Sequence, residues 1–214
     1  MKARPSGSCR FSHGHRAGRL VLALLAITFC YALGSVVFGL VIGRVRYRED
    51  LRQRDNPGGS GSWRQYGPAV GITVAALDVA KGAVAVALAQ GWGLSGGYLV
   101  AGCSAVVAGH NWPVWFGFRG GGGLGPLAGV LLVLAPGRLG WALGVTVLVA
   151  LAYRLGQLRR VFKIAALPAG AAAGIPFFLA LAHLQQDVVA TQVALASGVL
   201  IGLRGVQMLK TRSG

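Results

Sequence analysis

Apolar positions in this chain come in long blocks, separated by short polar stretches, and not in the alternating patterns of amphipathic elements. Leu20 to Gly43 is 24 residues without a charge. Pro68 to Gln90 is interrupted only by Asp78 and Lys81. Further blocks run from Gly96 to His110, Leu124 to Ala135, Leu139 to Tyr153, Ile164 to Leu184 and Val188 to Leu203. Blocks of this kind match the hydrocarbon thickness of a bilayer, which a helix crosses in roughly 20 residues. The pattern predicts an all-α, polytopic integral membrane helical bundle of about seven transmembrane helices. The Leu124–Ala135 block is short for a span, and Pro168 and Pro176 are expected to kink the sixth helix.

The pattern also sets the expected organisation. Residues 1–19 read as a basic, disordered tail, residues 20–208 as the transmembrane domain and residues 209–214 as a C-terminal tail. The first apolar block follows basic residues, as in a secretory signal. A signal core spans about 7–15 residues, and this block is much longer, so it reads as a retained helix. No internal repeat is visible, which argues against an inverted-repeat transporter.

Composition agrees. Of 214 residues, 54% are hydrophobic and 12% charged, about half the charged fraction of a soluble domain. Mean hydropathy is +0.61. The 35 glycines show no collagen period, and within apolar blocks they suit close helix packing. Cys9, Cys30 and Cys103 form no C-x-x-C pair, so neither a disulfide framework nor a metal site is expected.

The net charge is +16, from 21 Lys/Arg against 5 Asp/Glu. In so apolar a chain this reads as loops facing anionic lipid headgroups or attracting phosphorylated substrates, with no nucleic-acid partner. Seven spans would gather 14 of the 21 Lys/Arg at one end, in the 44–67 loop, the 111–123 loop, the 154–163 connector and the C-terminal end. The positive-inside rule makes that end cytoplasmic and the N-terminus external, although the basic N-terminal tail pulls the other way.

Chemistry concentrates in the polar stretches. Phe118-Arg119-Gly120-Gly121-Gly122-Gly123 precedes a helix beginning at Leu124. Consecutive glycines free backbone N–H groups to converge on an anion, with Arg119 adding a charge-assisted contact. The same run also suits a plain turn between two membrane helices. His110 ends a span, where it serves as an acid, a base, a ligand-orienting group or a simple interfacial residue. Trp112 and Trp115 read as aromatic belt. Asp78 and Lys81 lie three residues apart on one helical face, either as an ion pair fixing helix register or as part of a site facing a cavity. Asn56, Gly58, Ser60 and Arg64 are, by themselves, only a polar loop. His183 and Asp187 give H-x3-D, one residue short of the H-x4-D pattern of a common acyltransferase class.

Taken in order and at their spacing, these segments resemble the PlsY family of acyl-phosphate:glycerol-3-phosphate acyltransferases of bacterial membranes. NPGGSGSWRQYG is similar to the family's Asn-x-Gly-Ala-Thr-Asn-x-x-Arg-x-x-Gly, with Asn56, Gly58, Arg64 and Gly67 matching and Ser60 in place of Thr. LDVAKG matches Leu-Asp-x-x-Lys-Gly through Leu77, Asp78, Lys81 and Gly82. GHNWPVWFGFRGGGG is similar to Gly-His-x-Phe-Pro-x-x-x-x-Phe-Lys-Gly-Gly-Lys-Gly.

The resemblance covers about residues 30–130 and implies acyl transfer from acyl phosphate to glycerol 3-phosphate, without metal, cofactor or covalent enzyme intermediate. It implies that the glycine loop holds the acyl-phosphate headgroup, that Arg64 and Arg119 hold phosphates, and that Ser60, His110, Asp78 and Lys81 belong to the site. The chain departs from the pattern at several places. Gln53, Arg54 and Asp55 stand where the family has Gly-Ser-Gly. Gly61 replaces an Asn, and Arg119 and Gly122 replace two Lys. The C-terminal stretch LRGVQMLKTRSG lacks the family's third motif of His, Asn and Glu. The alternative expectation is a degenerate paralogue that binds lipid or acyl phosphate, or that uses another acceptor. A transporter working through Asp78 and Lys81 is a third reading.

Overall fold

The computed structural model describes residues 11–156 and 166–210. Nine α-helices and no strands occur among them. In chain order they are α1 (Phe11–Gly34), α2 (Phe38–Ile42), α3 (Gly59–Tyr66), α4 (Pro68–Gly91), α5 (Gly96–Asn111), α6 (Leu124–Leu134), α7 (Pro136–Leu155), α8 (Ala166–Leu184) and α9 (Val188–Lys210). Seven of these have 11 residues or more and correspond one to one with the seven apolar blocks. Four are long and apolar enough to cross a membrane by length and composition, namely α4, α7, α9 and the Arg16–Gly34 part of α1.

Glycine brings these helices to backbone contact. A Cβ on Gly34 would strike the Val106 carbonyl, and one on Gly109 would strike the Tyr31 carbonyl, so α1 and α5 meet without intervening side chains. Gly82 against Pro126 and Gly129 against Val79 do the same for α4 and α6. Gly170 and Gly174 lie on Thr146, closing the α7–α8 seam. Small-residue seams suit a bilayer, where lipid is as apolar as the core and association rests on packing. Cys30, Val106, Val107, Val130, Phe178 and Val193 fill the centre. Leu25, Trp141, Val147 and Leu148 face outward, as lipid-facing positions do.

Several boundaries differ from the sequence expectation. Helix α1 begins at Phe11, inside the segment expected to be a disordered tail, and α9 runs to Lys210. The first apolar block does not form one helix to Gly43. It stops at Gly34, bends, and resumes as α2. Lys81 on α4 explains the break, because its Nζ donates to the carbonyls of Gly34 (3.2 Å) and Val36 (2.7 Å), which a continuous helix would have consumed internally. The 44–67 loop is partly helical, with a π turn at Gly43–Tyr47, a 3-10 turn at Leu51–Gln53 and α3. Pro176 lies inside α8. Most of the 154–163 connector and both chain ends lie outside the described residues.

The two ends of the bundle are unlike. At one end Arg138 joins Gln185 (2.7 Å) and Asp187, tying the α6–α7 turn to the α8–α9 turn. Asp187 also accepts from the Ala190 N–H (3.0 Å), capping α9. Its role is therefore to anchor a turn, and it makes no pair with His183 that the H-x3-D spacing could exploit. At the other end the 44–67 segment meets the 111–123 segment, which in turn meets the last turns of α9.

Candidate active site

The end bearing the long loops is built around a cation. Lys81 Nζ, almost fully buried, lies 2.9 Å from Asp78 Oδ1 and 2.9 Å from His110 Nδ1, besides the Gly34 and Val36 carbonyls. An ammonium only donates, so His110 Nδ1 accepts, and the ring proton belongs on Nε2. The Nε2 side of the ring lies against Gly121, where a Cβ would overlap it. Asp78 and His110 both reach the wall of a cavity, whereas Lys81 stays behind them.

The glycine loop crosses over this cluster. Gly120 N–H donates to the Asn111 carbonyl (3.1 Å) and Gly121 N–H to the His110 carbonyl (3.0 Å), so neither amide is open to a ligand. The loop's free donors lie further along. Gly123 caps α6, its carbonyl accepting from Leu127 N–H (3.1 Å), so the N–H groups of Gly123, Leu124 and Gly125 precede any helical acceptor. Gly123 has φ +83°, and a Cβ there would also press on Asn111 Oδ1, so only glycine fits this corner. Gly122, Gly123, Leu124 and Gly125 line the cavity, with Asn56, Gly58 and Ser60 opposite.

That cavity, about 420 Å³, has two chemically different ends. One is the polar collar of loop glycines, Asn56, Ser60, Asp78 and His110. The other runs down among α6, α7 and α8 past Leu131, Leu139, Ala142, Thr146, Ile175 and Phe178. A single space of this shape accepts an anionic headgroup carrying a long apolar tail.

Not every predicted residue faces it. Arg64 forms a two-pronged pair with Asp55 (2.6 and 2.7 Å) beside a separate, more open pocket lined by Tyr47, Glu49, Arg54, Gln65 and Tyr66. The Asp55 carboxylate raises the Arg64 pKa. Arg119 projects from the loop and does not line the cavity. Two residues outside the sequence expectation hold the loop. Arg52 Nη1 donates to the carbonyls of Phe116 (2.7 Å) and Arg119 (3.2 Å) and is fixed by Asp50 (2.8 Å). The Arg52 hydrogen bonds lower the Asp50 pKa to about 2. Arg204, from α9, reaches the carbonyls of Gly120 (2.8 Å) and Gly121 (3.4 Å). No short-range pattern marks either arginine, since both look like ordinary basic residues at a membrane boundary. Among the described residues no cluster of His, Cys, Asp or Glu could hold a metal ion.

An apolar bundle whose cavity couples an anion-binding helix start to a tail channel defines a membrane protein that handles acyl chains with charged heads. Residues 24–206 match the model of a family described as glycerol-3-phosphate acyltransferase. Among curated relatives, glycerol-3-phosphate acyltransferase 2 of Deinococcus radiodurans is 41% identical over 194 residues, covering 86% of this chain and 94% of that one. Glycerol-3-phosphate acyltransferase 4 of Dehalococcoides mccartyi is 35% identical over 176 residues, covering 76% and 95%. The fold is similar to crystal structures of PlsY, described as an integral membrane glycerol 3-phosphate acyltransferase. The glycerol 3-phosphate form gives a TM-score of 0.73 at 26% identity, covering 88% of this chain and 90% of that one. The lysophosphatidic acid form gives 0.71 at 25%, covering 88% and 92%. This chain belongs to the glycerol-3-phosphate acyltransferase family.

Proposed function

We propose that this protein transfers an acyl group to glycerol 3-phosphate, giving 1-acyl-glycerol 3-phosphate (lysophosphatidate) for phospholipid synthesis, with acyl phosphate as donor. The observation that carries the reading is the two-ended cavity. Its collar of free N–H groups suits a phosphate and its apolar length suits an acyl chain. Family membership supports the acceptor.

In this reading the donor phosphate sits at the N-terminus of α6, against Gly122–Gly125, and its carbonyl carbon lies near Ser60 and His110. The acceptor hydroxyl attacks that carbon. The bond to the phosphate oxygen breaks, inorganic phosphate leaves, and the hydroxyl proton departs with it. An acyl phosphate is already activated, so positioning and electrostatics carry most of the acceleration. His110, its tautomer fixed through Lys81, offers Nε2–H as a donor at the cavity wall. Arg64 and Arg119 meet the acceptor phosphate at the mouth, Arg64 after exchanging part of its bond to Asp55. The protein resides in a bacterial plasma membrane with this mouth toward the cytoplasm and the N-terminus outside.

The test is phosphate release from palmitoyl phosphate by purified protein, with and without glycerol 3-phosphate, beside Arg64→Ala. Acceptor-dependent release that disappears in the variant is the expected result. Folded protein that retains palmitoyl phosphate but releases none would instead identify the binding-only paralogue. The bidentate Arg64–Asp55 pair is the one feature favouring that second reading.

A further inference from the structure

Arg204 lies in the stretch LRGVQMLKTRSG, which lacks the family's third motif, yet it makes two hydrogen bonds to the glycine loop. Its Nη2 lies 2.8 Å from the Gly120 carbonyl and its Nε 3.4 Å from the Gly121 carbonyl. In a planar trans peptide, the C=O of one residue and the N–H of the next point in opposite directions, and no cis peptide occurs among the described residues. Drawing the Gly120 carbonyl outward therefore turns the Gly121 N–H inward, where it meets the His110 carbonyl at 3.0 Å. Drawing the Gly121 carbonyl outward turns the Gly122 N–H inward as well. Gly122 lines the cavity, and no acceptor for that N–H lies among the described residues.

The geometry points to Arg204 as a positioning residue that aims the Gly122 N–H at the donor phosphate. Its own guanidinium stays on the outer side of the loop and does not line the cavity. Two other contacts from α9 keep the helix in register with the loop. Asn111 Nδ2 donates to the Leu200 carbonyl (3.3 Å) and Trp112 Nε1 to Gln207 Oε1 (2.9 Å). Arg52 performs the matching task one peptide earlier, where the Arg119 carbonyl faces out and the Gly120 N–H faces in, toward Asn111. Two guanidinium groups thus set the orientation of three successive peptides. The last helix contributes to catalysis here by fixing a backbone, in a chain whose C-terminal end lacks the His, Asn and Glu expected there. Gly122, where the family resemblance places a lysine, supplies a backbone donor in the region of that side chain.

The inference rests on reading the loop as the phosphate-binding element, and the test separates the two. Inorganic phosphate is titrated into isotope-labelled protein in detergent while the Gly122 amide resonance is followed, and kinetics with palmitoyl phosphate are measured in parallel. In the wild type the Gly122 amide shifts on saturation. In Arg204→Ala the phosphate concentration for half-saturation rises about tenfold, as expected for losing a charge-assisted contact. The KM for palmitoyl phosphate rises with it, while the KM for glycerol 3-phosphate holds. Arg204→Lys recovers part of the loss, and Arg154→Gln, in the last turn of α7 and outside the cavity lining, behaves as wild type. An Arg204→Ala protein whose Gly122 amide responds at wild-type phosphate concentrations overturns the inference. So does a wild type that turns over substrate while its Gly122 amide ignores phosphate. A wild type that neither turns over nor responds overturns the underlying reading of the loop.

Discussion

The His110 imidazole occupies the space where a Gly121 Cβ would go. This single contact links the glycine loop to the buried Asp78–Lys81–His110 group, and it makes Gly121 sensitive for a reason unrelated to chain flexibility. Gly121→Ala is expected to push the loop from the histidine by a fraction of its width. Displacements near 1 Å can cost on the order of a hundredfold in rate, so kcat/KM for palmitoyl phosphate should fall by about that factor, and the melting temperature should fall too, because the added methyl overpacks a buried site. Asp50 supports a second prediction. Its carboxyl is held at about 2 by hydrogen bonds from Arg52, against about 3.9 in an unfolded chain. A depressed carboxylate stabilises the fold above the unfolded value, and that contribution is lost as pH falls through the folded one. Lowering the pH from 4 to 2 should therefore cost the wild type more melting temperature than it costs Asp50→Asn, in thermal scans run side by side. Residue by residue, the sequence singled out the glycines, Asp78, Lys81 and His110 as candidates, because their order and spacing match a family pattern, and the structure brings them together at one end of the bundle. It did not single out Arg52 and Arg204. Their partners are carbonyl oxygens 64 to 84 positions away, and a backbone carbonyl leaves no mark on composition.

At the scale of elements, apolar block length located all seven principal helices, since hydrophobic length is a local property. The break after Gly34 was not local. It depends on a lysine 47 positions later that takes the freed carbonyls. The π turn and the 3-10 turn that fold the 44–67 stretch back onto the mouth were equally hidden, being held by contacts such as the Tyr47–Tyr66 ring stack at 3.9 Å and Arg44 over the Phe116 ring. The helices α6, α7 and α8 set the depth available to a tail. Ala142, on α7 in the apolar half of the cavity, is small where a larger side chain would fill space. Ala142→Leu should preserve turnover of short acyl phosphates and reduce that of palmitoyl phosphate by about tenfold, taking roughly 1.4 kcal/mol per decade for lost tail contacts. Equal loss across chain lengths would show that the tail lies elsewhere.

The whole molecule is polarised. One end carries the loops, most of the described basic residues and the cavity mouth, and the other carries short turns stapled by Arg138 and Asp187. This asymmetry predicts a fixed orientation. With Cys30 and Cys103 buried, a Cys9→Ser background leaves no accessible native thiol. In that background, Arg46→Cys should be protected from an impermeant thiol reagent in intact cells and react after lysis. Leu184→Cys should react in both. The reverse pattern would invert the topology and place the mouth outside.

The cavity's two-ended lining also decides how such a protein counts its substrates. A tail channel opening among membrane helices samples molecules dissolved in a two-dimensional film, while the polar collar samples the water above it. Turnover should therefore follow the surface density of acyl phosphate and the bulk molarity of glycerol 3-phosphate. Diluting vesicles with buffer at constant lipid composition would then leave the rate per protein unchanged at fixed acceptor concentration. Adding inert phospholipid at constant total acyl phosphate would slow it.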